Sequence, residues 1–172
     1  MKNQRKNTGE KKLLYHVGSI PRLMINNHMR DELSAFVLHE LCSENGFGLA
    51  KAAYFINNPD FRCLKGIGGY DRAEAFNGIS WERDQEFMQH LNRAQFHNKI
   101  RQYQNKHIEN LSSASSINQL QDQFEFEQPE AHVWNLKHDN QGIFVFDKQD
   151  NQELVQDHLR DFVHYLGFCQ VY

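Results

Sequence analysis

The chain reads as a single α+β domain, a mixed or antiparallel sheet packed with about three principal helices. Three features of the sequence predict it. Apolar residues recur at helical spacing in segments near residues 27–43, 81–110 and 151–166. Two strand–turn–strand patterns lie between them, and the resulting order is β-α-β-β-α followed by β-β-α-β. A length of 172 residues suits one domain that buries about two-thirds of the surface its unfolded chain exposes.

Met1 to Lys12 is polar, sets Lys2, Arg5, Lys6, Lys11 and Lys12 against Glu10 alone, and shows no apolar period. It is expected to be a flexible basic arm, with the folded domain spanning 13–172. Leu13 to Val17 suggests a short strand, ended by Gly18, Ser19 and Pro21. Asn27 to Ser43 then predicts the first helix, with Asn26 or Asn27 as N-cap and Gly46 beyond its end. Met29, Leu33, Phe36, Val37 and Leu41 form its apolar face, with Leu38 at the margin.

Ala50 to Ile56 reads as a strand, Asn57-Asn58-Pro59-Asp60 as a turn, and Phe61 to Ile67 as the returning strand. Gly66, Gly68 and Gly69 predict a tight turn, and a short helix is expected around Asp71 to Phe76. Ser80 is an N-cap for a long helix from Trp81 to about Asn110. Phe87, Met88, Leu91 and Ala94 share one stripe, while Phe96, Ile100 and Tyr103 share a rotated one. The helix therefore bends near Gln95 or changes neighbours along its length.

Ser112 to Gln123 is expected to be a loop with a brief helical turn. Val133 to Lys137, a turn over His138 to Gly142, and Ile143 to Phe146 form a second hairpin. Asn151 to Leu166 is the third helix, with Asp150 and Glu153 resembling a capping box and Gly167 as C-cap. Leu154, His158, Leu159, Phe162 and Leu166 are its buried stripe, with His164 pointing away, and Phe168 to Tyr172 is read as a last strand.

Composition narrows the function classes. A formal charge of −3 argues against a protein coated in positive charge for wrapping duplex nucleic acid, but leaves room for a local basic patch. With 10 histidines, mild acid adds positive charge, so affinity for anions is expected to depend on pH. Cys42, Cys63 and Cys169 are odd in number and lack a CxxC pair, which points to free thiols. The opening residues are too interrupted for a signal-peptide core and no apolar run approaches a membrane span, so a soluble cytoplasmic location is expected.

Three constellations carry candidate chemistry. On the first helix, His28, Glu32, His39 and Cys42 fall on one stripe and are all metal-capable. Each of the pairs His28/Glu32 and His39/Cys42 spans one turn, but roughly 10 Å of helix separates the pairs. A zinc or other divalent site would therefore use one pair and complete its ligands elsewhere, with His132 and His138 as candidates. A solvated polar face accounts for the same residues without a metal.

On the long helix, His90, Arg93, His97 and Arg101 recur at spacings of three and four and form a cationic strip suited to phosphates or nucleic acid. Its bland counterpart is a solvated face balanced by the acidic residues from Glu125 to Glu130. Thirdly, His39 with Cys42, or a histidine with Cys63, has the residue types of a nucleophilic site. The leading expectation is thus a binding or regulatory module for an anionic ligand or nucleic acid. The alternatives are a small hydrolase or transferase with a His/Cys site, metal-dependent or not, and a homo-oligomeric interaction protein.

Overall fold

The computed structural model describes residues 2–28, 32–75, 83–105, 114–147 and 153–169. Its helices are α1 (Lys2–Asn26), α2 (Leu33–Cys42), α3 (Asp84–Arg93), α4 (Gln95–Arg101), α5 (Ala114–Phe124) and α6 (Glu153–Phe162). Two 3₁₀ segments, Arg72–Glu74 and Val163–Phe168, extend the helical content. The strands are β1 (Lys51–Asn58), β2 (Cys63–Asp71), β3 (Gln104–Asn105), β4 (Pro129–Asn135) and β5 (Gln141–Asp147). Among the described residues they form a five-stranded antiparallel sheet in the order β3-β2-β1-β5-β4. The α+β class is as the sequence predicts, and both expected hairpins are present.

Alternation along the central strands gives the sheet two buried faces. Ala52 and Tyr54 of β1, with Phe144 and Phe146 of β5, join a core with α1, α2, α3, α6 and the segment after it. Ala53 and Phe55, with Ile143 and Val145, face the other way and join Phe96, Ile100, Tyr103, Leu120, Phe124 and Phe126 from α4, α5 and their flanks. Helices therefore cover both faces of an antiparallel sheet.

The N-terminal region departs most from expectation. Leu13 to Val17 is not a strand; residues 2–26 run as one helix, and the basic stretch expected as an arm forms its first turns. Leu13, Val17, Ile20 and Met24 are its buried positions, a helical-period stripe that outweighs the terminators Gly18 and Pro21. The Ser19 hydroxyl donates to the His16 carbonyl at 2.7 Å just before that proline. Asn27, expected to start the next helix, closes α1 instead, its backbone N–H bonding back to Leu23 and Met24.

Helix α2 is shorter than predicted and is buried along its whole length, so it has no solvated face. It lies between α1, the sheet and the 3₁₀ segment after α6. Phe47 N–H donates to the Leu41 carbonyl after its end, and a Cβ on Gly46 would sit 2.3 Å from the Glu40 carbonyl oxygen, so only glycine fits the turn.

The predicted long helix breaks at Ala94, whose ψ of 107° is extended, into α3 on one face of the sheet and α4 on the other. Side chains hold the break. Asn98 Nδ2 donates to the Leu91 and Asn92 carbonyls, and the Glu74 carboxylate accepts the Phe96 N–H at 3.0 Å. The expected ends of that helix, Trp81 and Asn110, its cap Ser80, and Phe76 lie outside the described residues.

The Gly66-Ile67-Gly68-Gly69 run is not the tight turn its glycines predict. It lies inside β2, where a bulge opposite Tyr54 and Phe55 shifts the register. A Cβ on Gly66 would lie 1.9 Å from the Ile100 carbonyl oxygen, so the missing side chain lets α4 lie directly on the strand. Residues 114–124, expected as loop, form α5. The third helix gives way at Val163 to the 3₁₀ segment, which takes the place of the start of the expected last strand. Asp150, Asn151 and residues 170–172 lie outside the described residues.

Candidate functional site: an imidazole seam and a cationic helix face

The stripe His28, Glu32, His39 and Cys42 is dispersed because α1 and α2 are separate helices and only His39 and Cys42 lie within α2. His28 is exposed in the turn after α1, where its Nδ1–H donates to the Ile25 carbonyl at 2.8 Å. Glu32 precedes α2 and pairs with the Arg101 guanidinium from α4. Cys42 is fully buried, and burial pushes its thiol well above the usual range, which disfavours a nucleophilic thiolate. Among the described residues no three His, Cys, Asp or Glu side chains are placed to hold a metal ion. His138 occupies a turn with φ of +59°, while His132 packs at 5.4 Å on Phe146.

His39 meets the second predicted strip instead. It is 3% exposed, and its ring makes edge contacts with Tyr70 at 5.1 Å, Phe87 at 5.2 Å and His90 at 6.3 Å. Among the described residues neither of its ring nitrogens makes a hydrogen bond, the Gly69 backbone being the polar group beside it. A buried polar group in that state costs about 1–3 kcal/mol. Burial, reinforced by the neighbouring His97 and His90, pulls its pKa down to about 3, so it stays neutral at physiological pH.

His97 is 2% exposed at the outer edge of β2, where its Nδ1 accepts the Gly69 N–H at 3.4 Å. Beyond the two residues of β3, this imidazole helps satisfy an edge that no strand covers among the described residues. Burial, with the Arg101 charge beside it, lowers its pKa to about 4. His90 is half-buried, and burial lowers its pKa against the opposing pull of Glu74.

The cationic strip is thus not a continuous surface. The break at Ala94 turns α4 onto β2, which buries His97 and engages Arg101 with Glu32, leaving Arg93 exposed. Phe96 and Tyr103 are buried, so neither offers a ring for stacking. Lys99 pairs with Glu125 at 3.4 Å, an instance of the expected acidic balance. Cys63 is half-buried near the hairpin end of β2, and its sulfur accepts from the Gln104 amide at 3.2 Å rather than from an imidazole.

Two features had no counterpart in the sequence reading. His16 on α1 lies 3.0 Å from the Glu40 carboxylate on α2, and its hydrogen bond to Glu40 raises its pKa despite partial burial. His158, expected as a core histidine, is half-buried and reaches Glu10 of α1 at 3.7 Å. The second feature is the outward face of α1. At about 100° per residue, Lys11, Tyr15 and Arg22 fall within about 40° of one another. Tyr15 is 82% exposed, Ile25 is 71% exposed near the end of the same helix, and Lys12 borders the row. Among the described residues, Lys11, Lys12 and Arg22 form no ion pair. Reading the whole segment as helix, with its buried stripe subtracted, was the signal that would have found this face.

Comparison with protein-family models, with curated proteins and with solved structures returns no match. Among the described residues no helix is long and apolar enough to cross a membrane.

Proposed function

We propose that the protein is a binding module for single-stranded nucleic acid, contacted through the outward face of α1. The observation that carries this reading is the exposed Tyr15 ring between the exposed cations Lys11 and Arg22, which form no ion pair among the described residues. Cations spaced along a helix face track phosphates, and an exposed aromatic ring among them stacks on a base whatever its identity. The overall charge of −3 confines the attraction to this patch and disfavours wrapping of a duplex. The hydrolase or transferase reading has less support, because Cys42 is buried with a raised pKa and Cys63 engages an amide.

Fluorescence anisotropy with labelled oligothymidine and oligouridine tests the proposal. Affinity is expected to fall steeply with salt, and the double variant Lys11→Glu/Arg22→Glu is expected to lower the log–log salt slope by about two. Tyr15→Ala should weaken binding by about 1–3 kcal/mol with the salt slope unchanged. Affinity unaffected by both variants would overturn the reading. So would binding to anionic vesicles but not oligonucleotides, or light scattering that shows a dimer lost in Tyr15→Ala.

A further inference from the structure

Three imidazoles meet where α2, α3, α4 and β2 come together, and their setting is unusual for buried histidine. Among the described residues neither ring nitrogen of His39 makes a hydrogen bond, and around it lie the rings of Tyr70, Phe87 and His90 with the Gly69 backbone. His90 and His97 stand on opposite sides of the extended residue Ala94, one on α3 and the other on α4. We infer that His39, His90 and His97 form an acid-released latch that holds the α3–α4 unit, hinged at Ala94, against α2 and β2.

The charges around the latch favour release. A proton on His97 meets the Arg101 guanidinium, itself tied to Glu32 ahead of α2. A proton on His39 meets His90 and His97 beside the Tyr70 ring, and among the described residues only the Gly69 backbone favours it. Tyr70 is further surrounded by Cys42, Arg72 and Glu44, of which only Glu44 brings an anionic side chain. Glu74 steadies a proton on His90, but its carboxylate also accepts the Phe96 N–H, so charging His90 draws on the group that caps α4. Once α3 and α4 move away, each imidazole gains water and its ordinary affinity for protons, so proton uptake drives the opening.

Native-state hydrogen exchange on the full chain tests the latch, with β5 amides as the internal reference and rates corrected for intrinsic exchange. Release of His39 and His97 to their ordinary value of 6.5 from about 3 and about 4 predicts roughly a hundredfold loss of α3–α4 protection between pH 7.5 and 5.5. β5 should change far less. His39→Phe, which keeps an aromatic ring among Tyr70 and Phe87, should cut that loss to about tenfold. If that variant fails to fold, His97→Asn, which retains an acceptor for the Gly69 N–H, should give the same reduction. Protection of α3–α4 that is flat with pH, or that falls in step with β5, overturns the proposal. An undiminished loss in the folded variant does so as well. Because α1 carries the nucleic-acid reading, failure of one proposal leaves the other standing.

Discussion

Helix α2 has a histidine contact on each of two sides, and the contacts work in opposite directions. Toward α1, His16 finds the Glu40 carboxylate, and that hydrogen bond raises its pKa. Toward α3 and α4, His39 finds other imidazoles and aromatic rings, and burial drags its pKa to about 3. The side chain is the same and the pH dependence is reversed, because one imidazole gains an anion while the other loses its water.

The largest test of that contrast is the stability of the whole chain against pH. The folded-state pKa values of His39 and His97 lie below the ordinary 6.5, so the unfolded chain takes up protons first as pH falls. Their contribution is complete above pH 6.5 and is lost as pH falls toward 4, by an amount on the order of several kcal/mol. Denaturant unfolding at a series of pH values measures it, and stability level from pH 7 to 4.5 would remove the contrast.

A smaller break comes from Gly66→Ala. The added Cβ would fall 1.9 Å from the Ile100 carbonyl oxygen, forcing α4 away from β2. The expected cost is about 1–3 kcal/mol, read as a lower Tm. His97 should then titrate closer to its ordinary range by NMR, since lifting α4 readmits water.

The smallest effect is on the α1 side. His16→Gln should cost about 0.5–1 kcal/mol below pH 6.5, where the imidazolium pairs with Glu40. That contribution disappears as pH rises through the raised folded-state pKa, opposite in sign to the seam. Thermal melts of this variant and the parent chain at acidic and alkaline pH read the difference directly.

Much of the architecture was legible in the sequence because it depends on local pattern. The apolar runs 50–56 and 143–146, each followed or preceded by turn residues, specify hairpins that need no distant partner, although Asn57 and Asn58, expected in the first turn, pair within β1 and the turn falls at 59–62. The change of stripe after Ala94 likewise marks the place where α3 gives way to α4. Residues 13–24 and 114–124 were misread for one reason: Gly18 and Pro21, and then a Ser-rich run, were weighed above a helical stripe that packing secures.

By itself, the amino-acid sequence determined the α+β class, the two hairpins and the rotation of the apolar stripe near Gln95, since period and turn chemistry are properties of neighbouring residues; that the helix breaks there was decided by packing on the two faces of the sheet. Only the tertiary structure decided which polar residues lie inside. Local periodicity gives the expected first helix a polar stripe of His28, Glu32, His39 and Cys42, yet the two of these within α2, His39 and Cys42, are buried. Whether a histidine meets Glu40, a second imidazole or water depends on helices that are distant in sequence, and local periodicity does not record where they pack.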